Sequence, residues 1–100
     1  EVKSVNLVVQ ETALFPDAPT SRGTRHLRTL AEAVSQGYKA AVIFVVLRED
    51  ANVFSPFEEA DHVFASTLRE SRKNGVKVYA YKCFVDIEEV RITDEIPVIL

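Results

Sequence analysis

The segment AAVIFVVL, residues 40–47, constrains the fold of this chain more than any other stretch. It is an unbroken apolar run, and four of its eight residues are β-branched. A strand with one face in solvent alternates apolar and polar residues, whereas a strand buried on both faces does not. The run therefore predicts a strand inside a parallel sheet that is flanked by helices, and an α/β fold.

Three further strands and two helices are predicted around this segment. The predicted strands are residues 1–9, 76–85 and 88–100, with a turn near 86–89. The predicted helices are residues 22–37, with Thr20 or Ser21 as N-cap, and 61–75, capped by Asp61. Proline-containing loops are predicted at 10–21 and 49–60. The order β-α-β-α-β-β indicates a mixed α/β sandwich whose first three strands are mostly parallel and whose last strand is antiparallel.

Composition limits the classes of function. A formal net charge of -3 and a pI near 5.3 exclude a polybasic protein that coats nucleic acid or membrane, so any anion site must be local. Without a long apolar run or a signal-peptide pattern, we expect a cytoplasmic protein with no membrane contact. Cys83 is the only cysteine, which excludes an internal disulfide. Since the sequence has no methionine and begins within a strand pattern, we interpret residues 1–100 as one domain of a longer protein.

Two charges lie on the apolar face of the opening strand. Alternation places Glu1 and Lys3 on the same side as Val5, away from Ser4. Burying an ion is costly unless it is paired or binds a metal. Two interpretations remain open, an ordinary ion pair at a strand end and a pair that performs chemistry.

The first predicted helix is locally basic. Arg25 and Arg28 point away from its apolar stripe, whereas Arg22 and His26 lie along the edge of that stripe. With the positive end of the helix dipole, these side chains form a candidate site for an anion such as phosphate. The alternatives are a solvated helix face for the arginines and a packed, hydrogen-bonded role for His26.

Several motifs together resemble one known family. In their order and approximate gaps, these segments resemble the C-terminal domain of the sugar fermentation stimulation protein A family: EVKSVNL, LFPDAPTSRGTRHLRTL, VIFVVLREDANVFSPFEEAD and GVKVYAYKC. The resemblance implies a protein with an upstream OB-like DNA-binding domain, followed by a domain similar to the PD-(D/E)xK (restriction endonuclease-like) nucleases.

The resemblance also implies roles for individual residues. Glu1 would be a metal ligand for Mg²⁺ or Mn²⁺, the Val2 carbonyl a second ligand, and Lys3 the residue that orients or activates water. The aspartate of the motif would lie upstream of Glu1, so these residues make half a site. The other candidate site residues are Arg22, Arg25 and His26, whose role in phosphate binding follows from the basic start of the first predicted helix, and Asp17 and Thr20 as supporting residues.

We therefore expect a DNA-binding protein with metal-dependent phosphodiester hydrolysis as its chemistry. The alternative is a non-catalytic DNA-binding regulator of sugar (maltose-type) metabolism, in which the same residues bind an anion only. An aspartate at the end of a preceding strand would favour the enzyme.

Overall fold

Seven strands and two helices make up the structure, a computed structural model that describes all residues from 1 to 100. In chain order they are β1 (Val2–Val5), β2 (Leu7–Val9), β3 (Thr12–Phe15), α1 (Ser21–Ser35), β4 (Ala41–Val46), β5 (Val53–Pro56), α2 (His62–Lys73), β6 (Lys77–Val85) and β7 (Val90–Ile96). The fold is therefore mixed α/β, and both predicted helices and their caps are present.

The main sheet has four strands in the order β1-β4-β6-β7. The strands β1, β4 and β6 run parallel, and β7 pairs antiparallel with β6. The apolar run predicted from residues 40–47 forms β4, which lies between β1 and β6. The strand that carries Lys3, with Glu1 directly before it, is consequently an edge strand.

A second sheet was missed in the sequence, and the predicted element order was wrong on this point. The segment 10–21 contains β3, and the segment 49–60 contains β5. The opening strand is also not continuous, because it leaves the main sheet at Asn6 and continues as β2. Together β2, β3 and β5 form a three-stranded sheet, with β2 antiparallel and β5 parallel to β3.

The hydrophobic core lies on one side of β4. Alternate residues of β4 are fully buried and half-buried, and the buried ones are Val42, Phe44 and Val46. They pack with Leu27 of α1 and with Phe54, Phe64 and Leu68 of β5 and α2. Within residues 1–100, α1, α2 and the small sheet all pack on the same side of β4, so these residues do not show the expected helices on both faces of the strand.

The N-termini of the two helices are linked by a hydrogen bond between their cap residues. Thr20 caps α1 by accepting a hydrogen bond from the Gly23 N–H at 3.0 Å, and Asp61 caps α2 by accepting one from the Phe64 N–H at 2.9 Å. The Asp61 carboxylate also accepts a hydrogen bond from the Thr20 N–H at 2.8 Å.

Neither helix has the length and apolar character needed to cross a bilayer.

Candidate active site at the start of β1

Pairing with β4 turns Glu1 and Lys3 towards the protein. Lys3 lies opposite Phe44, and Val5 lies opposite Val46. Since both β4 residues are fully buried, the face of β1 that carries Lys3 is the inner one. The side chain of Lys3 is only 10% exposed and that of Glu1 is 30% exposed, whereas Val2 on the other face is 63% exposed. The predicted placement of both charges on the apolar face is confirmed.

Three side chains meet at this point. The Lys3 Nζ lies 3.2 Å from Glu1 Oε2 and 3.0 Å from His26 Nδ1. The His26 Nδ1 in turn lies 3.2 Å from the same carboxylate oxygen of Glu1. His26 comes from the second turn of α1, which packs across the inner side of the sheet. We call Glu1, Lys3 and His26 the β1 cluster.

The His26 Nδ1 faces two incompatible partners. Towards Lys3, which only donates, Nδ1 must be an unprotonated acceptor, whereas towards Glu1, which accepts, it must carry a proton. A single ring nitrogen cannot make both hydrogen bonds at once. The bond to Lys3 therefore requires neutral His26 with its proton on Nε2, and the bond to Glu1 requires a proton on Nδ1.

The Glu1 carboxyl is held in its ionised form. Burial acts to raise its pKa, but the hydrogen bond and positive charge of Lys3 outweigh burial and place the pKa below its usual value. The cluster thus presents a carboxylate and a largely shielded ammonium at neutral pH. The Glu1 carboxylate is an oxygen ligand of the kind that binds metal ions, and it also holds the Lys3 ammonium in place. That ammonium can in turn stabilise an anion.

A backbone oxygen adds to the donor set. The carbonyls of Glu1 and Val5 accept hydrogen bonds at 2.9 Å from the N–H groups of Ile43 in β4 and of Leu47 directly after β4. Alternation along a strand then directs the Val2 carbonyl to the outer edge of the sheet. One carboxylate and one carbonyl are hard oxygen donors, which suit Mg²⁺ or Mn²⁺. The chain has no group of three His, Cys, Asp or Glu side chains that could enclose an ion, and Mg²⁺ typically needs only one or two carboxylates with water and phosphate oxygens.

The other predicted site residues do not join the β1 cluster. Arg22 is exposed in the first turn of α1 and makes no ion pair. Arg25 lines a separate concavity of about 550 Å³ with Arg28 and Asp61. Asp17 is exposed and borders a cavity of about 60 Å³ beside Ser4 at the other end of β1.

Thr20 and Asp61 connect the starts of the two helices, the first of which carries His26. Thr20 contacts none of the cluster residues and serves as the N-cap of α1, the helix that carries His26. The contact from Asp61 to Thr20 fixes the start of that helix relative to α2. The sequence predicted Thr20 or Ser21 as the first cap and Asp61 as the second, but a contact between positions 41 apart has no local signal.

Comparison with known proteins gives one consistent result. Residues 1–89 match the family model described as "Sugar fermentation stimulation protein RE domain". The chain is 55% identical to the sugar fermentation stimulation protein homolog of Moorella thermoacetica over 86 residues, which cover 86% of this chain and 37% of the relative. It is 49% identical to the homolog of Desulforamulus reducens over 98 residues, covering 98% of this chain and 41% of the relative.

A solved structure agrees with these relatives. The structure of Pyrococcus furiosus SfsA in complex with Ca²⁺ superposes with a TM-score of 0.94 at 29% sequence identity. The match covers all of this chain and 44% of the other. The chain therefore spans about two fifths of the length of the curated relatives that it matches.

Proposed function

The chain belongs to the sugar fermentation stimulation protein family, and on that basis we propose that it is a DNA-binding domain of the PD-(D/E)xK nuclease type, in which a mostly parallel sheet carries the site. The proposed chemistry is metal-dependent hydrolysis of a phosphodiester bond. The observation that carries the proposal is the meeting of Glu1, Lys3 and His26 within 3.0–3.2 Å of one another on the inner face of β1.

Each residue of the β1 cluster has a distinct task in this proposal. The Glu1 carboxylate and the Val2 carbonyl would hold Mg²⁺ or Mn²⁺, and such an ion offsets charge on a phosphate and acidifies a bound water. The ammonium of Lys3 is held in place by Glu1 and His26, so it can orient the attacking water and stabilise negative charge as it develops. Its low exposure strengthens that electrostatic effect.

The start of α1 supplies the proposed contacts to the nucleic acid. Arg22 is unpaired and exposed in the first turn, where free backbone N–H groups also favour an anion. His26 can bind a phosphate oxygen through its other ring nitrogen while Nδ1 stays on the cluster. Arg25 lines a different concavity, so we assign it to the DNA backbone at some distance from the bond that is cleaved.

Two further points support a hard cation and an incomplete site. The Pyrococcus furiosus relative was solved with Ca²⁺, which prefers oxygen ligands as Mg²⁺ does. The outer edge of β1 is free in the main sheet, so a preceding strand that carries the missing aspartate could pair there. The upstream aspartate and the OB-like DNA-binding domain remain part of the proposal.

The enzyme is tested with full-length protein that contains residues 1–100, on single-stranded, duplex, branched and RNA substrates with Mg²⁺ and Mn²⁺. Lys3→Ala is expected to abolish cleavage and to leave DNA affinity within a few-fold, because Lys3 acts chiefly in the transition state. Glu1→Gln is expected to lose both cleavage and Mn²⁺ binding in calorimetry. Glu59→Gln, an exposed glutamate without an ion pair, is the matched control.

Binding is tested separately by fluorescence anisotropy at several salt concentrations. Residues 1–100 alone are expected to bind DNA weakly and with a steep salt dependence, since only a few phosphates are contacted. Arg22→Ala should lower the salt slope by about one unit, and Arg91→Ala on β7 should not. If no substrate is cleaved with either metal, and Lys3→Ala and Arg22→Ala weaken binding alike, the domain is a non-catalytic DNA-binding regulator.

A further inference from the structure

The two helices run parallel and side by side over their whole length. At their starts the Thr20 N–H donates to the Asp61 carboxylate at 2.8 Å, and at their ends a Cβ on Gly75 would lie 2.9 Å from a Val34 methyl carbon. Both pairs are 41 positions apart in the sequence, so each turn of α1 lies level with a turn of α2. Two adjoining concavities, of about 550 and 460 Å³, form a groove between the helices. We call it the interhelical groove, and its walls include Thr24, Arg25 and Arg28 of α1 and Thr67, Ser71 and Asn74 of α2.

The walls of the interhelical groove carry hydroxyl groups that have no partner within the protein. Thr24 is 5% exposed and Ser71 is 2% exposed, and each lines one of the two concavities. Every fully enclosed side-chain oxygen in the chain has a hydrogen-bond partner, so these two unpartnered hydroxyls open into the groove. Buried polar groups are normally hydrogen-bonded. The two hydroxyls therefore indicate a place for a polar ligand.

A row of arginines leads from the β1 cluster into the groove. Arg22, Arg25 and Arg28 are three residues apart, so they are neighbours along one side of α1. The row begins beside the β1 cluster, because Arg22 lies one helical turn before His26. It ends at Arg28, which lines both concavities. None of the three arginines forms a salt bridge, unlike Arg48, whose partner is an aspartate.

The charges of the groove differ between its two ends. At the start of the helices, Asp61 already accepts hydrogen bonds from the N–H groups of Thr20 and Phe64, and two parallel helix dipoles add positive potential there. At the other end lies Glu70, beside uncharged hydroxyl and amide groups. An anion is therefore favoured at the end that holds Arg28, and an uncharged, oxygen-rich group further along. No aromatic side chain lines the groove, so it offers no surface on which a base could stack.

We propose that the interhelical groove binds the sugar–phosphate backbone of the nucleic-acid strand that leaves the β1 cluster. This inference rests on the proposed function. Phosphate oxygens accept charge-assisted hydrogen bonds from Arg25 and Arg28, and the hydroxyls of Thr24 and Ser71 donate to sugar and phosphate oxygens. From Arg22 to the end of the groove is about 17 Å along the helix axis, which corresponds to about five phosphates of one strand. Because no base is contacted, sequence preference is small.

Affinities for single-stranded oligonucleotides of three and twelve nucleotides test the proposal. They are measured by fluorescence anisotropy on full-length protein at several salt concentrations. The shorter strand reaches only the β1 cluster, whereas the longer one also fills the groove. Arg28→Gln removes the charge that the two concavities share, and the double variant Thr24→Val/Ser71→Ala removes two uncharged donors. Ser71→Ala alone replaces the double variant if the latter shows no cooperative thermal transition.

Two exposed side chains outside the groove give matched controls. Arg48→Gln removes an arginine charge from the loop after β4. Ser35→Ala removes a hydroxyl that bonds to the Glu32 carbonyl at the end of α1. Neither control should change the affinity for either oligonucleotide.

We expect Arg28→Gln to weaken binding of the longer strand about tenfold at low salt and to lower the salt slope by about 0.7 unit. The double variant should weaken it about fivefold and leave the salt slope unchanged, because a hydroxyl carries no charge. Binding of the shorter strand should be unaffected by either. Unchanged affinity of both variants for the longer strand would overturn the proposal. An equal loss for both lengths would also overturn it, by placing these residues at the β1 cluster.

Two further measurements separate the groove from other ligands and from the enzyme. Inorganic phosphate or ribose 5-phosphate that binds wild type but not Arg28→Gln, with strand affinity unchanged, would overturn the proposal by showing that a free small molecule occupies the groove. Losses confined to the longer strand uphold the groove even if no substrate is cleaved, in which case the enzyme proposal alone fails. Normal cleavage without these losses would overturn the groove proposal alone.

Discussion

Replacing Asp61 with alanine is expected to destabilise the chain by roughly 2–3 kcal/mol. Loss of an N-cap typically costs about 1 kcal/mol, and hydrogen bonds to a charged group contribute about 1.5–3 kcal/mol. Asp61 supplies both, since its carboxylate accepts hydrogen bonds from the N–H groups of Phe64 at 2.9 Å and Thr20 at 2.8 Å. The estimate stays at the low end of the sum because the carboxylate is partly exposed.

The effect of Asp61 also has a predictable pH dependence. The hydrogen bond from Thr20, followed by that from Phe64, lowers the pKa of Asp61 below its usual value. A carboxyl whose pKa is lower in the folded state contributes its stability above the unfolded pKa and loses it as the pH falls towards the folded pKa. The difference between wild type and Asp61→Ala should therefore be full at pH 7 and shrink below about pH 4.

Urea denaturation followed by circular dichroism measures both effects. With a slope of about 1–1.5 kcal/mol/M, the expected shift of the midpoint at pH 7 is roughly 2 M. Asp61→Asn keeps one acceptor oxygen, so its denaturation midpoint should lie between those of wild type and Asp61→Ala. Glu59→Ala, an exposed carboxylate two residues earlier, is the control and should shift the midpoint little. A loss below about 0.5 kcal/mol, or a loss equal at pH 3 and pH 7, would refute the reasoning.

Two further predictions concern a turn and the site. Gly75→Ala should destabilise more than Gly37→Ala: both glycines have positive φ, +107° and +95°, but only a Cβ at Gly75 would lie 2.9 Å from a Val34 methyl carbon. Equal losses of stability in thermal melts would show that backbone strain alone accounts for the effect of both substitutions. Lys3→Met should raise the midpoint of the Glu1 carboxyl titration in ¹³C NMR, because the hydrogen bond and charge that hold its pKa down are removed; an unchanged midpoint would show that Lys3 does not act on Glu1.

The strongly patterned elements were predictable from the sequence. The apolar run of β4 and the capped, periodic helices depend on local composition, so their positions agree with the structure. The small sheet was not predictable, because its strands are three or four residues long and lie among turn residues. Pro56, for example, ends β5 and is typical of a loop. Such short strands exist because their buried residues, such as Ala13 and Phe54, pack into the common core.

The candidate site was predictable only in part. Strand alternation predicts that Glu1 and Lys3 share a face, and the helical wheel predicts that His26 lies at the edge of the apolar stripe. That the Nδ1 atom of His26 comes within reach of both groups depends on how α1 crosses the sheet, which local patterns do not determine. Arg25 lies on the same helix, but its direction takes it to a different concavity.

The single residue between β1 and β2 restricts how this protein can vary in length. Asn6 is the whole connection between two strands that belong to different sheets. One additional residue there would force either a bulge or a shift of register, and a one-residue shift exchanges the two faces of a strand. Such a shift in β1 would move Lys3 outward and bring Ser4 inward. Insertions and deletions among relatives are therefore expected in surface turns such as residues 86–89, and substitutions alone are expected at Asn6.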